Sequence, residues 1–226
     1  MQQDLTELED FANKKLLKLK EKKTNLMKFN FSQQLDFPPE ISVRGFKNNI
    51  DVVTQTKLLG VILTDDLRWE ANTRYICNRA YKKLWVLRRL SVLDVGHVIL
   101  CDVYQKEIRT LLEVSIPAWH SGLTLDQAAQ IERVQKVAVK IILGKSSLPY
   151  SEALNILGLE TLSQRRKKLC ITFAKRTLKS RHSSMFTPRA SVHNTRHKDA
   201  YVEPLFNTQR FQRSPLNYLT RLLNTL

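Results

Sequence analysis

Lys57-Leu58-Leu59-Gly60-Val61-Ile62-Leu63, followed by Asp66-Leu67-Arg68-Trp69, is the stretch on which the fold turns. The run is nearly continuous in apolar residues and reads as a strand covered on both faces. Beyond it, from about 72 to 90, the period changes. Ile76, Ala80, Leu84 and Leu87 recur every three or four residues, the stripe of an amphipathic helix. A strand-bearing segment therefore gives way to a helical one near residue 64, and the expected class is α+β.

Working back toward Met1, Leu5, Leu8, Ala12, Leu16 and Leu19 form one helix face, with acids early and lysines late as the helix dipole favours. Residues 25–31 alternate polar and apolar as a short strand does. Pro38-Pro39 breaks any regular element, and 41–43 with 50–53 read as a hairpin around a turn at 45–49. Working forward, a helix is expected over 97–114, with Pro117 ending it or following its end. Thr124 and Gln127 form a capping box ahead of a helix stopped by Gly144, and Thr161 and Gln164 form a second ahead of a helix to about 179. A short helix over 149–157 ends at Gly158. Past 181, prolines return and periodicity fades until Tyr218, Leu219, Leu222 and Leu223. The expected domains are a strand-bearing unit over 1–63, a helical unit over 64–181 and a basic, partly extended tail over 182–226.

The chain carries 37 Lys and Arg against 21 Asp and Glu, a formal charge of +16. An excess of that size makes a polyanion the default partner. Cys77, Cys101 and Cys170 are widely spaced and odd in number, which suits buried thiols in a reducing compartment rather than a disulfide framework or a zinc knuckle. No apolar h-region follows Met1 and no run of about 18 apolar residues occurs, so an intracellular chain of nucleus or cytoplasm, off the membrane, is expected. His193 and His197 have i,i+4 spacing without an intervening Glu, and no Ser-His-Asp context appears; no catalytic, metal or cofactor site is expected.

The sharpest physical signal is the helix from 161 to 179. At about 100° per residue, Arg165, Lys168, Lys175, Arg176 and Lys179 share an arc of about 100°, beside an apolar arc of Leu162, Leu169, Cys170 and Phe173. Between 145 and 181, nine Lys or Arg stand against two acids, so phosphate contact is expected of this stripe. Arg166 points into the apolar arc and is expected to pair with Glu152 or Glu160. Arg88 and Arg89, with Lys82 and Lys83, form a second basic cluster. Trp69, Trp85 and Trp119 read as core or half-buried anchors before they read as base-stacking groups.

Several of these segments, in order, resemble the polymerase of non-LTR (LINE-like) retrotransposons. Gln3-x-Leu5-x-x-Leu8 with Lys22-Lys23-Thr24 and Lys28-Phe29 resembles its motif D, although the family commonly has Trp where Phe11 stands. Leu59-Gly60-Val61 resembles motif E, the primer grip. Leu84-x-x-Leu87-Arg88-Arg89-Leu90, Pro117-Ala118-Trp119, Ile131-Glu132-x-x-Gln135-Lys136 and Leu157-Gly158-Leu159-x-x-Leu162-x-x-Arg165-Arg166 resemble its thumb and the segment beyond. Arg210-Phe211-x-x-Ser214-Pro215 with Tyr218-Leu219-Thr220-Arg221-Leu222-Leu223-Asn224 resembles the end of such a reading frame. The resemblance implies a palm remnant, a thumb and a tail that bind RNA, DNA or an RNA–DNA duplex. It would place Lys23 at the incoming nucleotide's phosphates, although a solvated lysine is the simpler reading. It would place Gly60 at the primer end, where a packing bulge explains the glycine equally well. It would set Arg88 and Arg89 along the minor groove.

No aromatic-x-Asp-Asp element precedes the strand, and two-metal polymerisation needs clustered carboxylates. The expectation is therefore a truncated reverse transcriptase that grips nucleic acid without catalysing. The alternatives are a protein-interaction module, whose partner covers palm surface bared around Leu26, Met27, Val61 and Leu63, and a relic without a role.

Overall fold

The computed structural model describes residues 2–31, 43, 46, 49–144, 148–189 and 201–226. It is α+β and falls into two compact units, 1–68 and 69–226. The boundary expected at 63/64 moves to 68/69, and the segment expected to be a separate tail contributes to the second unit.

The first unit holds helix α1 (Gln2–Lys14) and short strands β1 (Asn25–Leu26), β2 (Asp51–Val52), β3 (Gln55–Leu58) and β4 (Val61–Thr64). Helix α1 stops well short of 20. Leu16 takes a left-handed φ of 56°, Leu17 N–H donates to the Ala12 carbonyl at 2.8 Å and Leu16 N–H to that of Asn13 at 3.0 Å. This is a Schellman stop built without glycine. Leu8 and Leu16, expected to be buried, are exposed, while Ala12 is buried. β1 pairs in parallel with β2; the hairpin expected of 41–43 and 50–53 depends on Ile41, Ser42 and a turn at Gly45 that lie outside the described residues.

The stretch 57–63 is not one strand. Leu59 (φ 48°) and Gly60 (φ 91°) are both left-handed and turn the chain back, so β3 and β4 pair as an antiparallel hairpin with Leu58 opposite Val61. Two consecutive positive φ values are the signature of the tight hairpin turn whose twist matches its strands. The apolar run concealed that turn. Nor is it covered on both faces: Leu58 and Leu59 are exposed, whereas Val61 and Ile62 are buried.

The second unit is helical. Helix α2 (Glu70–Val92) packs most extensively on α6 (Leu125–Ile142), burying Ile76, Cys77, Ala80, Leu84 and Leu87. Between them run α3 (His97–Val103), a π-turn (Tyr104–Arg109), α4 (Thr110–Glu113) and α5 (Ile116–Trp119). The π-turn widens the helix by one residue per turn, and Tyr104, Ile108 and Leu112 all remain buried across it. Pro117 stands in the first turn of α5 after a left-handed Ser115, so it opens a helix as well as following one. Trp119 is fully buried and its indole donates to the Val114 carbonyl at 2.8 Å.

Both capping boxes form. Gln127 N–H donates to Thr124 Oγ1 at 3.2 Å and Thr124 N–H to Gln127 Oε1 at 2.9 Å; for Gln164 and Thr161 the two distances are 3.2 and 3.1 Å. They start α6 and α8 (Leu162–Leu178), with α7 (Tyr150–Ile156) between them. The chain end is more ordered than its composition suggests. After α9 (Gln209–Gln212), α10 (Pro215–Asn224) packs on α8 and α5 and buries Leu219, Leu222 and Leu223.

Gly122 follows α5 and faces the Trp69 indole. A methyl group built on its Cα would lie 2.3 Å from Trp69 Nε1, a distance no packed structure accepts. Gly122→Ala must displace a buried tryptophan, and we expect it to cost about 1–3 kcal/mol of unfolding free energy, measured by urea denaturation.

Candidate nucleic-acid interface

The residues expected to contact nucleic acid fall in both units. Lys23 ends an exposed 3-10 turn (Glu21–Lys23), and Gly60 forms the β3–β4 turn rather than lying within a strand. The one adjacent pair of aspartates, Asp65-Asp66, closes a loop: Asp66 Oδ1 accepts from Thr64 Oγ1 at 2.7 Å and from Arg68 N–H at 3.0 Å. Among the described residues, no group of three or more His, Cys, Asp or Glu could hold a metal ion, and no helix is long and apolar enough to cross a membrane. His193 and His197 lie outside the described residues.

On α8 the expected stripe divides. Arg165 meets Glu113 in a two-pronged pair, Nε to Oε1 at 2.5 Å and Nη2 to Oε2 at 3.0 Å, and Arg109 flanks the same carboxylate at 3.7 Å. The hydrogen bonds to Glu113 raise the Arg165 pKa further. Lys168 pairs with Glu160, whose carboxyl is held below its ordinary range by that hydrogen bond. Carboxylates from other elements thus neutralise the half of the stripe near the helix start. Lys175, Arg176 and Lys179, near its end, are exposed and make no ion pair among the described residues. Phe173, expected to be apolar core, is 42% exposed.

Arg166 is buried, as its place on the helix predicts, yet the expected pairing with Glu152 or Glu160 does not form. Its Nε and Nη1 are buried without hydrogen-bond partners. Burial lowers its pKa, and the charge acting most strongly to restore it is Glu132. That carboxylate is already engaged. It accepts from Tyr150 Oη at 2.6 Å and caps α8 through Leu162 N–H at 3.1 Å and Ser163 N–H at 3.3 Å. Gln135 extends the network, accepting from Tyr104 Oη at 2.5 Å and donating to Tyr150 Oη and the Glu160 carbonyl at 2.9 Å each. A guanidinium buried with two of its three nitrogens unpartnered opposes folding, so Arg166→Met should leave stability unchanged or raise it by about 1–4 kcal/mol, read from the urea midpoint.

His120 lies beside this charge. Its imidazole is within 3.2 Å of Tyr218 Oη and edge-on to that ring, and burial, with the Arg166 charge adding to it, lowers its pKa from 6.5 to about 4. The unfolded chain therefore takes up a proton at pH values where the folded chain does not. The contribution to stability is complete above about pH 6.5 and is lost as pH falls toward 4. We expect a loss on the order of 2–3 kcal/mol across that window, and a flatter profile for His120→Gln in urea titrations at stepped pH.

The cationic face that keeps its charge is on α2 and α6. Helix α2 contains six Lys or Arg and a single acid, Glu70, at its start. Glu70 pairs with Arg74 at 2.7 Å, and Lys83 pairs with Glu107 at 2.9 Å. Lys82, Arg88 and Arg89 are exposed and make no ion pair among the described residues. Helices α2 and α6 run side by side in the same direction. Arg133 on α6 acts on Tyr81, pulling down a phenol pKa that burial and Cys77 raise, and Ser91 Oγ donates to the Ile141 carbonyl at 3.4 Å. The Ser91–Ile141 contact sets the ends of the two helices side by side, Arg88 and Arg89 of the expected set on one and Lys140, which sequence reasoning did not single out, on the other. Lys140, like Arg133, is exposed, and α6 holds no acid after Glu132. The signal that would have found this face is the absence of acids after Glu70 in α2 and after Glu132 in α6, which becomes informative only once the helices are known to pack together.

Trp85 also faces outward. It is 62% exposed, where a core or half-buried anchor was expected, while Trp69 and Trp119 are buried. The Arg89 guanidinium lies 5.9 Å from its ring centre.

No family model, curated protein or solved structure matches this chain.

Proposed function

We propose that this chain binds nucleic acid independently of sequence, through phosphate contacts to the outward face of α2 and α6. The observation that carries the reading is the run of Arg88, Arg89, Arg133 and Lys140 without an intervening carboxylate. Cations held on rigid helices displace condensed counterions when they meet a phosphate backbone, which gives affinity that falls steeply with salt. The order of motifs and the α+β class are consistent with descent from the palm and thumb of a non-LTR reverse transcriptase, and the lack of an aromatic-x-Asp-Asp element in these residues makes the proposed role grip rather than polymerisation. The test is fluorescence anisotropy of a labelled RNA–DNA duplex at several KCl concentrations. A straight line of log K against log salt with a slope of about −3 or steeper supports the reading, and affinity indifferent to salt removes it.

A second reading is favoured by the first unit alone. Leu8, Phe11, Leu16 and Leu17 are exposed there, whereas Val61, named in the expected palm face, is buried and Leu26, Met27 and Leu63 are half-buried. Exposed apolar residues in such number mark a protein interface. Size-exclusion chromatography at two concentrations would detect self-association through this unit.

A further inference from the structure

We propose that the outward face of α2 takes unpaired nucleobases, stacking one on Trp85 while the flanking arginines hold the adjoining phosphates. The inference rests on the nucleic-acid reading and narrows it from any polyanionic backbone to strands with accessible base faces.

A tryptophan carries one of the largest apolar surfaces of any side chain, and Trp85 holds most of it in water on a helix whose inner face is packed. Its neighbours on the same side are selective. Tyr81 precedes it by one turn, Arg88 and Arg89 follow within one turn, and Val92 lies two turns on, 81% exposed. Residues three and four apart on a helix are adjacent on its surface, so these groups make one strip. Along the helix the strip presents two aromatic rings, then two guanidinium groups, then an aliphatic side chain.

A duplex offers its phosphates to such a strip and hides its base faces within the stack. A side chain projecting from a helix therefore reaches a base face only where bases are unpaired. Stacking also tolerates any base, which agrees with a site that lacks the directed polar groups needed to read one. The Arg89 guanidinium near the indole is placed to contact a phosphate without leaving the ring's vicinity. A protein partner fits less well. Interface cores are depleted in charge around their aromatic anchors, whereas α2 carries no acid after Glu70 and is crowded with cations. A second copy of this chain, itself at +16, would bring like charge to the same place.

The test compares the full chain with Trp85→Ala and Trp85→Phe, using anisotropy of a labelled single-stranded RNA and of a blunt duplex at equal salt. Because Trp85 is exposed, the variants should keep the thermal midpoint of the parent, which is measured alongside. Trp85→Ala should weaken single-strand binding about ten- to a hundredfold, leave duplex binding within about twofold, and leave both salt slopes unchanged, with Trp85→Phe retaining most of the affinity. Quenching of the exposed tryptophan's fluorescence by the single strand, and not by the duplex, should accompany binding. Equal weakening of both ligands, or no weakening, overturns stacking and leaves the phosphate reading standing. If the parent binds neither ligand, the phosphate reading fails and this inference with it. Trp85-dependent self-association, with nucleic-acid affinity unchanged in the variant, assigns the strip to protein contact and overturns the proposal.

Discussion

Replacing Arg88, Arg89 and Lys140 together by Gln is expected to lower affinity for an RNA–DNA duplex about a hundredfold or more at 0.1 M salt, and to flatten the salt slope by about 2–3. The size follows from counterion release, since each lost phosphate contact removes nearly one unit from the slope and roughly a factor of ten at that salt. All three side chains are exposed and none of them forms an ion pair, so their removal takes no hydrogen bond from the core. Thermal stability should stay within about 0.5 kcal/mol of the parent for each substitution. The contrast with α8 sharpens the expectation. Replacing Arg165 by Gln strands Glu113, a poorly exposed carboxylate that would keep only Arg109 at 3.7 Å. That change should appear as lost stability more than as lost affinity. Equal effects of the two sets on binding would mean that the carboxylates at Glu113 and Glu160 do not neutralise α8 in solution.

Trp119→Ala is expected to cost about 3–5 kcal/mol, the largest effect on stability of any single change considered. The indole is fully buried, its N–H is spent on the Val114 carbonyl at 2.8 Å, and α5 around it is pressed by both α8 and α10. The cavity would open beneath the chain's last helix, so α10 should loosen before the rest. A protein of this size has about 5–15 kcal/mol in all, so the variant should show a large drop in urea midpoint. Hydrogen exchange should show the amides of 215–224 losing protection first. A loss under about 1 kcal/mol would contradict the packing described for α5 and α10.

Signals contained within a few residues were legible in the sequence. Thr124 with Gln127 and Thr161 with Gln164 started helices where expected, since a capping box needs only four residues to act. Gly144 and Gly158 take left-handed φ values of 73° and 61° at the ends of their helices. Stops made by residues that seldom adopt such angles were not legible: Leu16 ends α1 early, and Leu59 joins Gly60 in turning an apparent strand into a hairpin. At the end of the chain the return of period at Tyr218, Leu219, Leu222 and Leu223 marked a short helix, while its start did not show: Pro215 is the first residue of α10, where its missing N–H costs nothing.

The candidate site was legible in its parts and not in its assembly. The angle of each cation on α8 follows from helical geometry, yet Glu113 reaches Arg165 from 52 positions away, and no local count of charge reveals it. Arg166 was placed inside by the same geometry, but its surroundings come from several elements. The exposure of Trp85 follows from the buried stripe of Leu84 and Leu87 beside it. The general preference of tryptophan for burial argued against that reading, and the structure resolves it toward solvent.

On the reading proposed, α2 and α6 together form the surface that meets nucleic acid. Backbone amide NMR of the labelled chain, titrated with a short RNA–DNA duplex at low salt, addresses it residue by residue. Shifts should concentrate at 81–92 and 133–140 and disappear as salt is raised. Shifts confined to the end of α8 around 175–179, or none at all at concentrations where anisotropy reports binding, would contradict it.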